Sequence, residues 1–205
     1  MTDLNMMNLL SPDSTVQDDN STEAKILAAA LQLFNEFGLR RTSMDDIAKR
    51  AGLGRATIYR RYADKEALVK VAMLREGRKF LDDVRAAIDH YESREEAMIE
   101  GFALVVINAR NHTLFQRLLI SEPETILPYL TINGAVVAMM ARFYFQQVLE
   151  EERIRGLKLV GNLDAMSEMV TRLLHSLALT HSTSQPGEDK EHLRRLAHDL
   201  LHRFM

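Results

Sequence analysis

Between Gly54 and Tyr62 the chain sets Arg55, Thr57, Tyr59, Arg60 and Arg61 around one large aliphatic residue, Ile58. On a short helix with Ile58 turned inward, the other five present guanidinium forks, a hydroxyl and a phenol. These groups break no bonds by themselves, but they dock well on nucleic acid. An arginine fork pairs with guanine O6 and N7 or with a phosphate. Threonine reaches a thymine methyl or a phosphate, and tyrosine hydroxyls reach phosphates. Asp64 caps the following helix, which puts Lys65 and the first-turn N–H groups where a phosphate binds.

The residues before this face supply the elements that position it. Ser43 can cap a helix, and Asp46 three residues later completes a capping-box pair. Ala48, Gly52 and Ile58 follow at spacings of four and six. A small residue lets two helices cross closely, glycine accepts a left-handed turn, and a β-branched residue anchors the second helix on the first. Ile47, Leu53 and Ile58 make a small core with the helix before them. The stretch from Ser43 to Tyr62 therefore predicts a helix-turn-helix.

Charge agrees once it is divided along the chain. The 205 residues carry a net −3, yet Gly38 to Lys79 holds 12 Lys/Arg against 5 Asp/Glu, a net of +7, which leaves −10 elsewhere. The local basic face decides DNA affinity. With no cysteine, disulfides and thiolate metal sites are excluded. No apolar run is long enough to span a membrane, and the N-terminus lacks the pattern of a signal peptide, so a cytoplasmic protein without membrane partners is expected. Phosphate loops, G-x-S-x-G elbows and C-x-x-C pairs are missing, so neither an enzyme nor a cofactor is expected. His198 and His202 lie four apart on a predicted helix, but no acidic residue completes an H-E-x-x-H pattern, and no metal site is expected.

The chain reads as all-α. Residues 1–20 form a polar extension. A first helix begins at Ser21 or Thr22, buries Leu27, Ala30, Leu31 and Phe34, and stops at Gly38. A longer helix starts at Asp64. Residues 94–111 contain the strand-like run Leu104-Val105-Val106-Ile107, but their proline-free flanks favour a helix. A break is expected near Ser121–Pro128, then helices over about 132–155, 163–183 and 189–204, with Gln185-Pro186-Gly187 turning between the last two.

Three blocks, I-L-A-A-A-L-Q-L-F-N-E-F-G (26–38), T-S-M-D-D-I-A-K-R-A-G (42–52) and T-I-Y-R-R-Y-A-D-K-E-A-L (57–68), resemble the DNA-binding domain of the TetR family of bacterial transcriptional regulators. The resemblance implies an all-α protein with a three-helix DNA-binding domain at 21–81 and a helical ligand-binding and dimerisation domain at 82–205. It implies that Ser43, with Thr42 beside it, caps the second helix near phosphate. Thr57, Tyr59 and Lys65 fall on habitual DNA-contacting positions, and Arg55 and Ala56 face base edges, joined by the outward Arg60. Gly54 departs from the family's usual Ser or Thr, and Tyr62 from its common phenylalanine.

A helix-turn-helix monomer touches few base pairs, so a dimer on a pseudo-palindromic operator is expected. Leu163, Met166, Val170, Leu173 and Leu177, and Leu193, Leu196, Leu200 and Phe204, repeat at coiled-coil steps. From spacing alone these stripes suit a dimer seam or the protomer's own core equally, and the resemblance favours the seam. It also implies a pocket for a largely apolar small-molecule effector, with Phe102, Val106, Phe115, Leu119, Tyr129, Met140, Tyr144 and His175 as candidate lining. Asn108 and His112 are further polar candidates. The function expected is a ligand-released repressor, and the alternative is a ligand-independent architectural DNA-binding protein.

Overall fold

The computed structural model describes residues 21–180 and 190–203. The expected extension at 1–20, the Gln185-Pro186-Gly187 turn and Phe204 lie outside the described residues. Among the described residues every regular element is a helix: α1 (Thr22–Phe37), α2 (Met44–Ala51), α3 (Arg55–Arg61), α4 (Lys65–Ile88), α5 (Arg94–Asn111), α6 (Thr113–Ser121), α7 (Pro123–Leu130), α8 (Ala135–Ile154), α9 (Leu163–Leu179) and α10 (Lys190–Leu201). None is both long and apolar enough to cross a membrane by itself.

The helices form two compact units. One runs to Lys79 and includes Thr113–Asn133, and the other comprises Phe80–His112 and the chain from Gly134 onward. The boundary expected after residue 81 therefore misplaces a middle segment. The reason is burial: Leu114, Leu118 and Ile126 pack into the same core as Ile26, Phe34, Ile47 and Ile58. Polar contacts hold the segment there as well. Arg117 donates to the Asn35 and Glu36 carbonyls, which the end of α1 leaves without helical partners. A helix also occupies the expected break, since Pro123 sits in the first turn of α7, where a missing N–H costs nothing.

In the first unit Ser21 caps α1 by accepting from Ala24 N–H at 3.1 Å, and Gly38 ends it. The capping box at α2 forms as expected: Ser43 Oγ accepts from Asp46 N–H at 3.2 Å, and Asp46 Oδ2 accepts from Ser43 N–H at 2.9 Å. The Ser43 hydroxyl, and then its backbone N–H, hold the Asp46 carboxyl below the ordinary 3.8. A depressed acid stabilises the fold above its ordinary value and ceases to do so as pH falls through its lowered one. Losing an N-cap serine typically costs about 1 kcal/mol, so Ser43→Ala should be destabilised by that much near neutral pH. In urea titrations its gap from wild type should narrow once pH drops below 4.

In the second unit α5 packs between α9 and α10, burying Phe102, Ala103 and Val106 against Leu174, Leu193 and Ala197. The strand-like run is helical, and its four apolar side chains turn around α5, with Val106 fully buried and Leu104, Val105 and Ile107 half-buried. Gly101 lets α5 approach α4: a Cβ there would lie 2.9 Å from Ile88 Cδ1.

The stripes on α9 and α10 largely face inward. Met166 and Leu193 are 1% and 0% exposed within the single chain, too buried for a partner to reach. Leu163, Val170, Leu173, Leu177 and Leu200 are half-buried against the same cores, and Leu196 is also half-buried. Among the described residues of this unit the exposed large apolar side chains are Val136, Met139, Phe143 and Ile154 on α8, Val160 after it, and Met169 on α9.

Candidate nucleic-acid interface

The turn between α2 and α3 is made by Gly52 in the left-handed region at φ 68° and ψ 32°, its N–H bonding back to the Ala48 and Lys49 carbonyls. Leu53 N–H also returns to Ala48 O at 2.9 Å, which tightens the turn. Ala48 is buried, and its small side chain suits the close crossing. Gly54 caps α3 without a side-chain bond, so α3 starts on its backbone alone. Ile58 is fully buried and fixes the rotation of α3, leaving Arg55, Ala56, Tyr59 and Arg60 exposed and Thr57 half-buried.

Ion pairs then orient this face. Arg55 reaches Asp45 on α2 at 2.5 Å, a pair exposed enough to exchange for a stronger acceptor. Arg50 makes a two-pronged bond to Glu36 on α1, both contacts at 2.8 Å, and it lowers the Glu36 carboxyl below its ordinary value. On the other side of α3, Arg61 lies 3.7 Å from Glu23, and the buried Tyr62 hydroxyl donates to the same carboxylate at 3.2 Å. Burial first, and then Glu23, raise the Tyr62 phenol above its ordinary value. The departure from phenylalanine at this position is thus accommodated by a partner for the hydroxyl.

Two expected DNA contacts point elsewhere. Thr42 is 2% exposed and donates its hydroxyl to Gly38 O at 2.8 Å. Lys65 turns its ammonium back onto Leu39 O at 2.8 Å and Thr42 O at 2.9 Å. Both side chains satisfy carbonyls in the turn after α1, and so they position α2. Removing the Lys65 ammonium (Lys65→Met) should cost about 1.5–3 kcal/mol, the range for charged hydrogen bonds. Urea unfolding would show this loss without DNA present. Arg41 and Lys49 were not singled out from the sequence. Both are exposed, border an open depression beside Arg50, and like Arg60 make no ion pair among the described residues. Their signal was only their share of the local positive charge.

The candidate ligand residues divide between the units. A cavity of about 70 Å³ in the second unit is lined by Phe102 and Tyr144 together with Leu81, Val84, Ile88 and Phe145, among others. Tyr144 donates its hydroxyl toward Asp82 at 3.2 Å. Arg85, the only cation on the wall among the described residues, is paired with Glu151. Val106 and Met140 are buried but do not line this cavity, and His175 is exposed on α9. Phe115, Leu119 and Tyr129 belong to the first unit, where Leu119 packs on its core. Asn108 and His112 lie on α5 and at its end, outside the cavity wall.

The first unit is a helix-turn-helix whose second helix exposes a basic and hydroxylated face. Residues 26–72 match the family described as bacterial regulatory proteins, tetR family. An HTH-type transcriptional regulator of Staphylococcus aureus is 33% identical over 82 residues, which is 40% of this chain and 44% of the relative. The match thus spans less than half the length of that relative. The TetR family repressor AlkX from Dietzia sp. superposes with a TM-score of 0.66 at 19% identity, covering 90% of this chain and 97% of its own. The fatty acid degradation regulator FadR from Bacillus halodurans gives 0.56 at 19% identity, covering 90% and 96%. At these identities the two structures establish the shared fold.

Proposed function

We propose that this protein is a homodimeric transcriptional repressor that binds a pseudo-palindromic operator and is released by a small apolar effector. The observation that carries the reading is the rotation of α3, which buries Ile58 and leaves Arg55, Ala56 and Tyr59 to enter the major groove, with Arg60 at a flanking phosphate. Ser43, exposed at the start of α2, and Thr57 join them at phosphates. Self-association places two such faces on successive turns of the duplex. Its seam is assigned to the apolar side chains left outside on α8 and α9, where Val136, Met139 and Phe143 follow at steps of three and four.

The cavity supplies the switch. Its wall is almost wholly hydrocarbon, and Arg85 is already neutralised by Glu151, so a neutral apolar molecule fits better than an anion. AlkX is described as implicated in biodegradation of n-alkanes and FadR as a regulator of fatty acid degradation, which accords with an aliphatic effector. Helix α4 carries Leu81, Val84 and Ile88 on the cavity wall and, earlier in the same helix, Leu68 and Val71 in the core of the DNA-reading unit. An effector that favours one setting of α4 shifts the population of DNA-competent heads. Octane is bulkier than the cavity of about 70 Å³, so it enters only as the lining helices part; its binding should lower operator occupancy in a gel-shift titration, and octanoate should do so less. If neither changes occupancy while specific binding persists, the ligand-independent alternative replaces this reading.

A further inference from the structure

Three metal-ligating side chains meet in the second unit, and the proposed function uses none of them. His198 lies in the last turn of α10 and His202 just past its end, with ring centroids 5.5 Å apart and ring planes within 12° of parallel. Glu95, in the first turn of α5, supplies a carboxylate, so that one donor atom from each of the three residues lies within 4.8 Å of the other two. The acid missing from the local sequence pattern thus arrives from another helix.

The packing of α5 on α10 fixes this meeting. Glu96 pairs with Arg194, and the buried Glu100 pairs with both Arg194 and Lys190, an antiparallel ladder of ion pairs. The next rung of that ladder sets Glu95 opposite the two histidines. Asp199 also lies 3.4 Å from His198 Nδ1. A carboxylate on one ring nitrogen is the usual orienting partner of a histidine that ligates through the other.

We propose that Glu95, His198 and His202 form a three-ligand site for a divalent transition cation, with Zn²⁺ the best match. Two imidazoles and one carboxylate are a familiar zinc donor set, which leaves the fourth tetrahedral position to water. Mg²⁺ and Ca²⁺ favour all-oxygen shells and are excluded by the same donors. A bound ion would staple the last described helix to α5, beyond the ladder already there.

The full chain, stripped of metal by a chelator and dialysed, is titrated calorimetrically with ZnCl₂ in a non-coordinating buffer. One saturable site per chain is expected, with His202→Ala and Glu95→Gln each weakening it about tenfold or more. Co²⁺ should give the visible absorption of a tetrahedral N/O site in wild type and not in either variant. Because both histidines are exposed, circular dichroism should show the variants folded, and Glu95→Gln keeps the shape of the side chain. Absence of saturable binding overturns the proposal. So does equal affinity in the His198→Ala/His202→Ala double variant, which would assign the ion to other histidines. None of the three ligands belongs to the DNA-reading unit, so failure here leaves that reading standing.

Discussion

Arg55→Ala combined with Tyr59→Ala should reduce operator binding to the level of random DNA, a loss of roughly a thousandfold where specific and non-specific affinities differ by that much. Each single change removes one group from the exposed face of α3 while Ile58 keeps the helix seated. A bidentate arginine-guanine contact discriminates by about 1–3 kcal/mol. Arg55→Ala alone should therefore relax base preference at one position of each half-site. Arg60→Ala should weaken all sequences alike and lower the salt slope by about one, the signature of a phosphate contact. Lys65→Met makes the informative contrast, since its ammonium is engaged by the Leu39 and Thr42 carbonyls. Its loss of affinity should follow its loss of stability, with the salt slope preserved. Fluorescence anisotropy titrations at several salt concentrations separate these cases.

Gly38→Ala should be the most damaging single change to the fold of the first unit. Gly38 lies at φ 86° and ψ 173°, a region that side-chain-bearing residues almost never adopt, and occupying it costs about 1–3 kcal/mol. A Cβ there would also stand 2.0 Å from Glu122 Oε1. Glu122 is 5% exposed and accepts the Arg40 N–H at 3.0 Å, so moving it leaves a buried carboxylate without this partner. Forced overpacking adds about 1–3 kcal/mol. The combined cost of about 2–6 kcal/mol is a large part of the stability of an ordinary domain. Denaturant unfolding followed by circular dichroism should show it. Adding Glu122→Ala should recover the steric part and leave the backbone strain, so the double variant should still be less stable than Glu122→Ala alone.

The DNA-reading unit was legible because its determinants are local. Capping by Ser43 and Asp46, the small Ala48, the left-handed Gly52 and the inward Ile58 each act within a few residues, and the family pattern covers the same stretch. The bonds of Thr42 and Lys65 were not legible, because their partners are backbone carbonyls in a turn that exists only after Gly38 has ended α1. An exposed lysine and a stapling lysine look identical in sequence. The segment 113–133 misled for a longer-range reason. Phe115, Leu119 and Tyr129 mark apolar helices, but spacing does not say which core an apolar helix joins. Arg117 and Glu122, which tie that segment to the end of α1, lie about eighty residues from their acceptor and donor. The same ambiguity governed Met166 and Leu193, since a three-and-four repeat suits the protomer's own core as well as a partner.

The central claim is that the outward face of α3 reads base sequence, and selection of bound fragments from a random duplex pool tests it most directly. Wild type should enrich an inverted repeat whose half-sites lie one helical turn or a multiple apart. Arg55→Ala should enrich the same repeat with one position in each half-site degenerate. Recovery of no common motif, or of an unchanged motif with both Arg55 and Tyr59 replaced, would contradict the account.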